Sequence, residues 1–127
     1  MSDADLGDYH LEQSRDWLSN ALRRNDCVTK VETVGRFSIR ITRKYGDEIV
    51  IRVAGNYVLG ECEFEDYLSG GTNCVVLGSS WLGYTASAKT TSVKKKTGLF
   101  SFAELFGALN RKNRFWEYKP KKKKEEA

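Results

Sequence analysis

Residues 35–57, GRFSIRITRKYGDEIVIRVAGNY, decide the fold. Phe37, Ile39 and Ile41 alternate with Ser38, Arg40 and Thr42, the period of two that a strand shows when one face is buried. Lys44-Tyr45-Gly46-Asp47 then has turn chemistry, because Gly tolerates unusual backbone angles and Asp bonds its own local backbone. Glu48–Val53 resumes the alternation, with Ile49, Ile51 and Val53 on one side and Val50 on the other. Two such strands joined by a short Gly-containing loop make a β-hairpin.

Toward the N-terminus, the β-branched run Val28–Val34 adds a strand before the hairpin. Leu11, Leu18, Ala21 and Leu22 recur at helical spacing, so Tyr9–Arg24 reads as an amphipathic first helix ended by Asn25 and Asp26. Toward the C-terminus, Glu61–Leu68 mixes acids with Phe64, Tyr67 and Leu68, a short helix stopped by Gly70-Gly71. Asn73–Leu77 reads as a buried strand, and Thr85 caps a helix running to about Lys95. Gly98–Ser101 is a last strand. Ser101 and Glu104 have the spacing of a capping box, opening a final helix with Leu105, Phe106 and Leu109. Phe115, Trp116 and Tyr118 are expected to fold back on the core, and they are also candidates for a partner surface. The order α-β-β-β-α-β-α-β-α predicts an α/β domain with a mixed central sheet and flanking helices.

The chain has 127 residues, 40% of them apolar, which predicts one small domain. We place it over residues 8–118, with 1–7 and the basic segment 119–127 as disordered ends. A core of this size is modest, so a dimer would add stability. No apolar run approaches the ~20 residues of a membrane span, and MSDADLGDYHLEQ lacks the pattern of a signal peptide. A cytoplasmic protein without a membrane partner is expected. Cys27, Cys62 and Cys74 are odd in number and form no CxxC pair, so they read as small buried hydrophobes in a reducing compartment. With His10 the only histidine, Ser–His and Cys–His catalysis have little support.

Charge is unevenly placed. Residues 1–88 hold 9 Lys and Arg against 13 Asp and Glu, whereas residues 89–127 hold 12 against 4. A basic second half points to a phosphate-bearing partner. A solvated Lys tail accounts for part of the excess, but Lys89, Lys94–Lys96, Arg111, Lys112 and Arg114 precede it.

The hairpin, the leading helix and the segment VVLGSSWLGYTASAKTTSVKKKTGLFSFAELFGAL, residues 75–109, resemble the restriction-endonuclease-like nuclease superfamily. The Mrr-type enzymes and archaeal Holliday-junction resolvases are the branches it is most similar to, over about residues 9–118. The resemblance rests on element order and spacing. It implies a Mg²⁺-dependent nuclease site with Asp at the start of the second strand, Glu on the third and Lys two residues later. Those positions fall at Ser38, Arg52 and Ala54. A slip of one residue puts Val53 and Gly55 there instead. A hard dication needs converging carboxylate oxygens, and a guanidinium repels it. The expectation is therefore a catalytically inactive nuclease-like domain that needs no cofactor. It would bind nucleic acid, expected to be double-stranded DNA, or pair with a second copy or an active relative.

An enzyme alternative stays open, a Mg²⁺-dependent deoxyribonuclease with a rearranged site built from Glu48, Glu61 or Glu63. The plainer alternative for these acids is a turn and a solvated helix face. A third reading is a structural protein-interaction module. For binding, Ser79, Ser80, Trp81, Tyr84 and Thr85 stand between a strand and a helix start, where the amides of Thr85–Ser87 would be free donors for phosphate. Packing of Trp81 and Tyr84 on the core is the alternative. Lys89 lies along the same helix. Arg40 and Arg52 share the polar side of the hairpin and would contact phosphate where the metal is missing.

Overall fold

The computed structural model describes residues 5–119. Helix α1 (Asp8–Arg23) leads into strands β1 (Val28–Gly35), β2 (Ser38–Arg43) and β3 (Glu48–Ala54). A two-residue strand β4 (Val58–Leu59) precedes helix α2 (Glu61–Tyr67) and a 3-10 turn at Ser69–Gly71. Strand β5 (Cys74–Leu77), the two-residue β6 (Gly83–Tyr84), helix α3 (Ala86–Lys94), strand β7 (Gly98–Phe100) and helix α4 (Phe102–Ala108) follow, with a 3-10 turn at Phe115–Glu117. The five-stranded sheet runs β1-β2-β3-β5-β7, antiparallel through β3 and parallel from β3 onward. The fold is α/β with a mixed central sheet and four helices. Strands β4 and β6 were not expected, because two residues are too few to show a period; they pair in parallel as a separate ladder.

The sheet has two covered faces. On one, Ile39, Ile41, Ile49, Ile51, Val53, Cys74, Val76 and Phe100 meet Leu11, Leu18 and Leu22 of α1 and Leu105, Ala108 and Leu109 at α4. On the other, Ala54, Val75, Leu77 and Leu99 meet Phe64 of α2 and Ala88 of α3. Burial of this apolar surface, at about 25 cal/mol per Å², is the main favourable contribution to folding. The capping box forms as expected: Glu104 N–H donates to Ser101 Oγ, and Ser101 N–H to Glu104 Oε1.

The segment after α4 folds back. Phe115 is buried beside Phe100, and Tyr118 meets Phe100 edge-on. Gly98 makes room: a Cβ there would lie 2.7 Å from the Phe100 ring, 2.9 Å from Cys74 Sγ and 3.0 Å from the Phe115 ring. Phe115, Trp116 and Tyr118 thus pack internally, and their candidacy as a partner surface weakens accordingly.

What fastens this segment is Arg43, among the described residues the only buried charged side chain, 1% exposed. It sits on the apolar face of β2 beyond Ile39 and Ile41. Its guanidinium donates to both Asp47 oxygens across the turn and to the carbonyls of Leu109, Arg111 and Lys112. The rings of Tyr45 and Phe115 lie 5.0 and 5.6 Å away.

Two local expectations are corrected. Cys27 and Cys74 are buried, but Cys62 is exposed, because it faces outward on the one-turn-wide polar side of α2. Within the end expected as disordered, residues 5–7 are held: Leu6 N–H donates to Gly55 O at 2.8 Å, and Asp5 accepts from Tyr57 N–H at 2.7 Å. Leu6 packs against both core clusters. Residues 1–4 and 120–127 lie outside the described residues.

Candidate nucleic-acid interface

Ser38 and Arg52 are directly opposed partners across the β2–β3 ladder. Ala54 lies on the same face two residues on, but it is fully buried in the α2–α3 core. The three positions therefore lie on one face of the hairpin, and none carries a carboxylate. Arg52 is held between two rings, 4.6 Å from the centroid of Tyr67 and 5.2 Å from that of Phe37. Its Nε donates to Val53 O at 3.2 Å. Its two Nη groups donate to no protein atom among the described residues, and no carboxylate there is within ion-pair distance. Stacking between aromatic faces fixes a guanidinium plane while leaving its edge open to an acceptor.

Arg40 is differently placed. Its Nε and Nη2 both donate to Glu32 Oε1, at 3.0 and 2.9 Å. The Arg40 guanidinium, aided by Lys30, holds the Glu32 carboxyl below its ordinary range. Arg40 is already neutralised, which the hairpin alternation could not reveal, because the partner comes from β1.

The acids proposed for a rearranged site are spread out. Glu48 begins β3 just after the turn, opposite Thr42. Glu61 accepts from Thr91 Oγ1 at 2.9 Å, and Glu65 pairs with Lys95 at 3.6 Å, so both face α3. Glu63 turns back toward Gly60 at the helix start. Glu12 pairs with Arg36 at 2.7 Å. Among the described residues, no three His, Cys, Asp or Glu side chains converge to hold an ion.

The loop after β5 divides. Ser79, half-buried, and Trp81, 59% exposed, line a cleft, while Ser80 is exposed. Tyr84 turns inward and donates its hydroxyl to Glu104 at 3.0 Å; burial first, then Glu104, pushes its pKa upward. Thr85 is the N-cap of α3 and accepts from Ala88 N–H at 3.1 Å. Its own amide is not free, because it donates to Leu59 O at 3.0 Å where the β4–β6 ladder runs into the helix. Lys89 is also spent inside. Its ammonium donates to Leu99 O at 2.7 Å and lies 4.3 Å from the Phe100 centroid. Burial lowers its pKa, with Glu104 opposing. Sequence position alone could not separate these inward groups from the exposed Trp81.

Lys89, Tyr84, Thr90 and Lys94 nonetheless form one wall of a cleft of about 900 Å³, closed by Glu117 and Lys119. The basic character of the second half gathers here. At the turn side, Arg111, Lys112 and Arg114 are exposed, with Arg114 3.6 Å from Glu117.

Comparison of the chain with protein-family models, with curated proteins and with solved structures gives no match. Among the described residues, no helix is long and apolar enough to cross a membrane.

One pH dependence follows from the core below this cleft. Burial pushes the Cys74 thiol from its ordinary 9.0 up to about 12, so at neutral pH it stays protonated and is a poor nucleophile. The native state keeps this proton where the unfolded chain loses it. Its stabilising contribution is complete below pH 9 and is lost as pH rises from 9 toward about 12. The raised pKa values of Tyr84 and Tyr67 act in the same sense above pH 10. The lowered pKa of Lys89 acts oppositely, because the unfolded chain then holds the extra proton. Urea midpoints should fall above pH 9, and Cys74→Ala should flatten that fall. An equally steep fall in the variant would contradict the assignment.

Proposed function

We propose that the chain is a non-catalytic, nucleic-acid-binding domain of the restriction-endonuclease-like type. In it, an arginine stands where relatives of that type would hold a metal ion. The observation that carries this reading is Arg52, in register with Ser38, stacked between Phe37 and Tyr67 and with both Nη groups unengaged among the described residues. A carboxylate pair neutralises a dication that in turn meets phosphate. A fixed guanidinium meets phosphate directly, through charge-assisted bonds of favourable geometry.

The test is binding of labelled duplex and single-stranded DNA, followed by fluorescence anisotropy across salt. Affinity should fall log-linearly with salt, with a slope of roughly −0.9 per duplex phosphate neutralised and −0.7 for single strands. A slope of about −2 to −4 is expected for duplex, given the few unengaged cations. No binding even at low salt would overturn the reading. Metal-dependent cleavage abolished by replacing Glu61 or Glu63 would favour the enzyme alternative instead.

A further inference from the structure

We propose that the cleft at the carboxyl ends of β5 and β7 is a stacking site for an unpaired nucleobase. Its lining residues include Trp17, Trp81, Phe102, His10, Gln13 and Ser79, and its volume is about 400 Å³. It lies where open α/β sheets present ligands, just outside the ends of parallel strands. Gly78, which follows β5 directly, forms its floor, and Phe102 begins α4 just after β7.

The walls are flat and aromatic. Trp17 and Phe102 stack with centroids 5.2 Å apart and planes 1° from parallel. Trp17 nevertheless stays 56% exposed and Trp81 59%. Trp81 meets no other ring among the described residues. Two exposed indoles beside one cleft are costly in water unless something covers them. The polar rim consists of Gln13, Ser79 and His10. Gln13 donates its amide nitrogen to Tyr9 Oη at 3.0 Å, which leaves its Oε1 to accept. The Ser79 hydroxyl and the His10 ring can each donate or accept. Among the described residues no Lys or Arg lines the cleft, so it suits a planar group with donors and acceptors on its edge rather than a phosphate.

This inference rests on the nucleic-acid reading. Leu6 lines the cleft, and its amide is bonded to Gly55 O, three residues beyond Arg52 on the same strand path. A base can lie against these indoles only if it is unstacked from its own neighbours. The preferred ligand is therefore a single strand or a distorted duplex. Ser14 is not available as a base contact, because its hydroxyl donates to Gly78 O at 2.8 Å.

The experiment compares an oligothymidylate of about ten nucleotides with an abasic strand of the same length. Stacking contributes about 1–3 kcal/mol per base, so the base-bearing strand should bind at least about fivefold more tightly. Trp81→Ala and Trp17→Ala should each shrink that ratio toward one while leaving abasic binding unchanged. Trp81 is exposed enough that its removal leaves the core intact. Equal affinity for the two strands overturns the inference, and salt-dependent abasic binding would then leave the nucleic-acid reading standing. A ratio that survives in both Trp variants overturns it too, since the bases would stack elsewhere. A dimer that dissociates on Trp81→Ala with DNA binding unaltered would assign the cleft to a second protein chain. If neither strand binds, both proposals fall.

Discussion

Replacing Arg43 by alanine is expected to destabilise the fold by about 2–4 kcal/mol, because its buried guanidinium serves three carbonyls as well as the half-exposed Asp47. The guanidinium does several jobs at once. It satisfies the carbonyls of Leu109, Arg111 and Lys112, and it closes the β2–β3 turn through Asp47. Without it those carbonyls lose their donor, and each group left buried and unsatisfied costs about 1–3 kcal/mol before relaxation. Phe115 also loses the cation 5.6 Å from its ring centroid. Small domains have only about 5–15 kcal/mol in total, so the midpoint should drop by on the order of 10 °C or more. Arg43→Met keeps the apolar stem and still loses the donors, so it should recover only part. Arg40→Ala is the comparator. Its pair with Glu32 is exposed at 40% and 36%, and such pairs are worth about 0–1 kcal/mol. Urea unfolding of the three variants checks this. Equal losses at Arg43 and Arg40 would mean that residues 109–116 are not anchored as the geometry indicates.

Arg52→Glu should lower nucleic-acid affinity by about tenfold or more at low salt, because it removes an attractive contact and installs a repulsive one beside the same phosphate. Arg52→Ala should flatten the duplex salt slope by about 0.9. Arg52→Lys separates charge from shape. An ammonium keeps the charge but not the planar fork or its stacking between Phe37 and Tyr67, so an intermediate affinity is expected. Arg40→Ala should change binding little, because Glu32 already neutralises that side chain. Anisotropy titrations with thermal melts on each variant separate lost binding from lost fold. Wild-type affinity in Arg52→Glu would remove the basis of the functional reading.

Local periodicity in the chain was sufficient for the α/β class, the hairpin and the capping box. Each depends on residues close in sequence, and side-chain direction follows backbone type. The same alternation, continued one step past Thr42, places Arg43 on the Ile39–Ile41 side. A charge at that parity is the mark of a buried, partnered group, although its partners at 109–112 lie more than 60 residues away. Trp17 likewise stands off the Leu11–Leu18–Leu22 stripe, a large ring on a polar face, but only the arrival of Phe102 and Trp81 makes it part of a cleft. The tertiary structure alone decided which cations are spent and which are open. Arg40 found Glu32 on β1, Lys89 found Leu99 O, and Arg52 found two rings. Charge is carried by the residue type, whereas its availability depends on neighbours that folding brings from elsewhere in the chain.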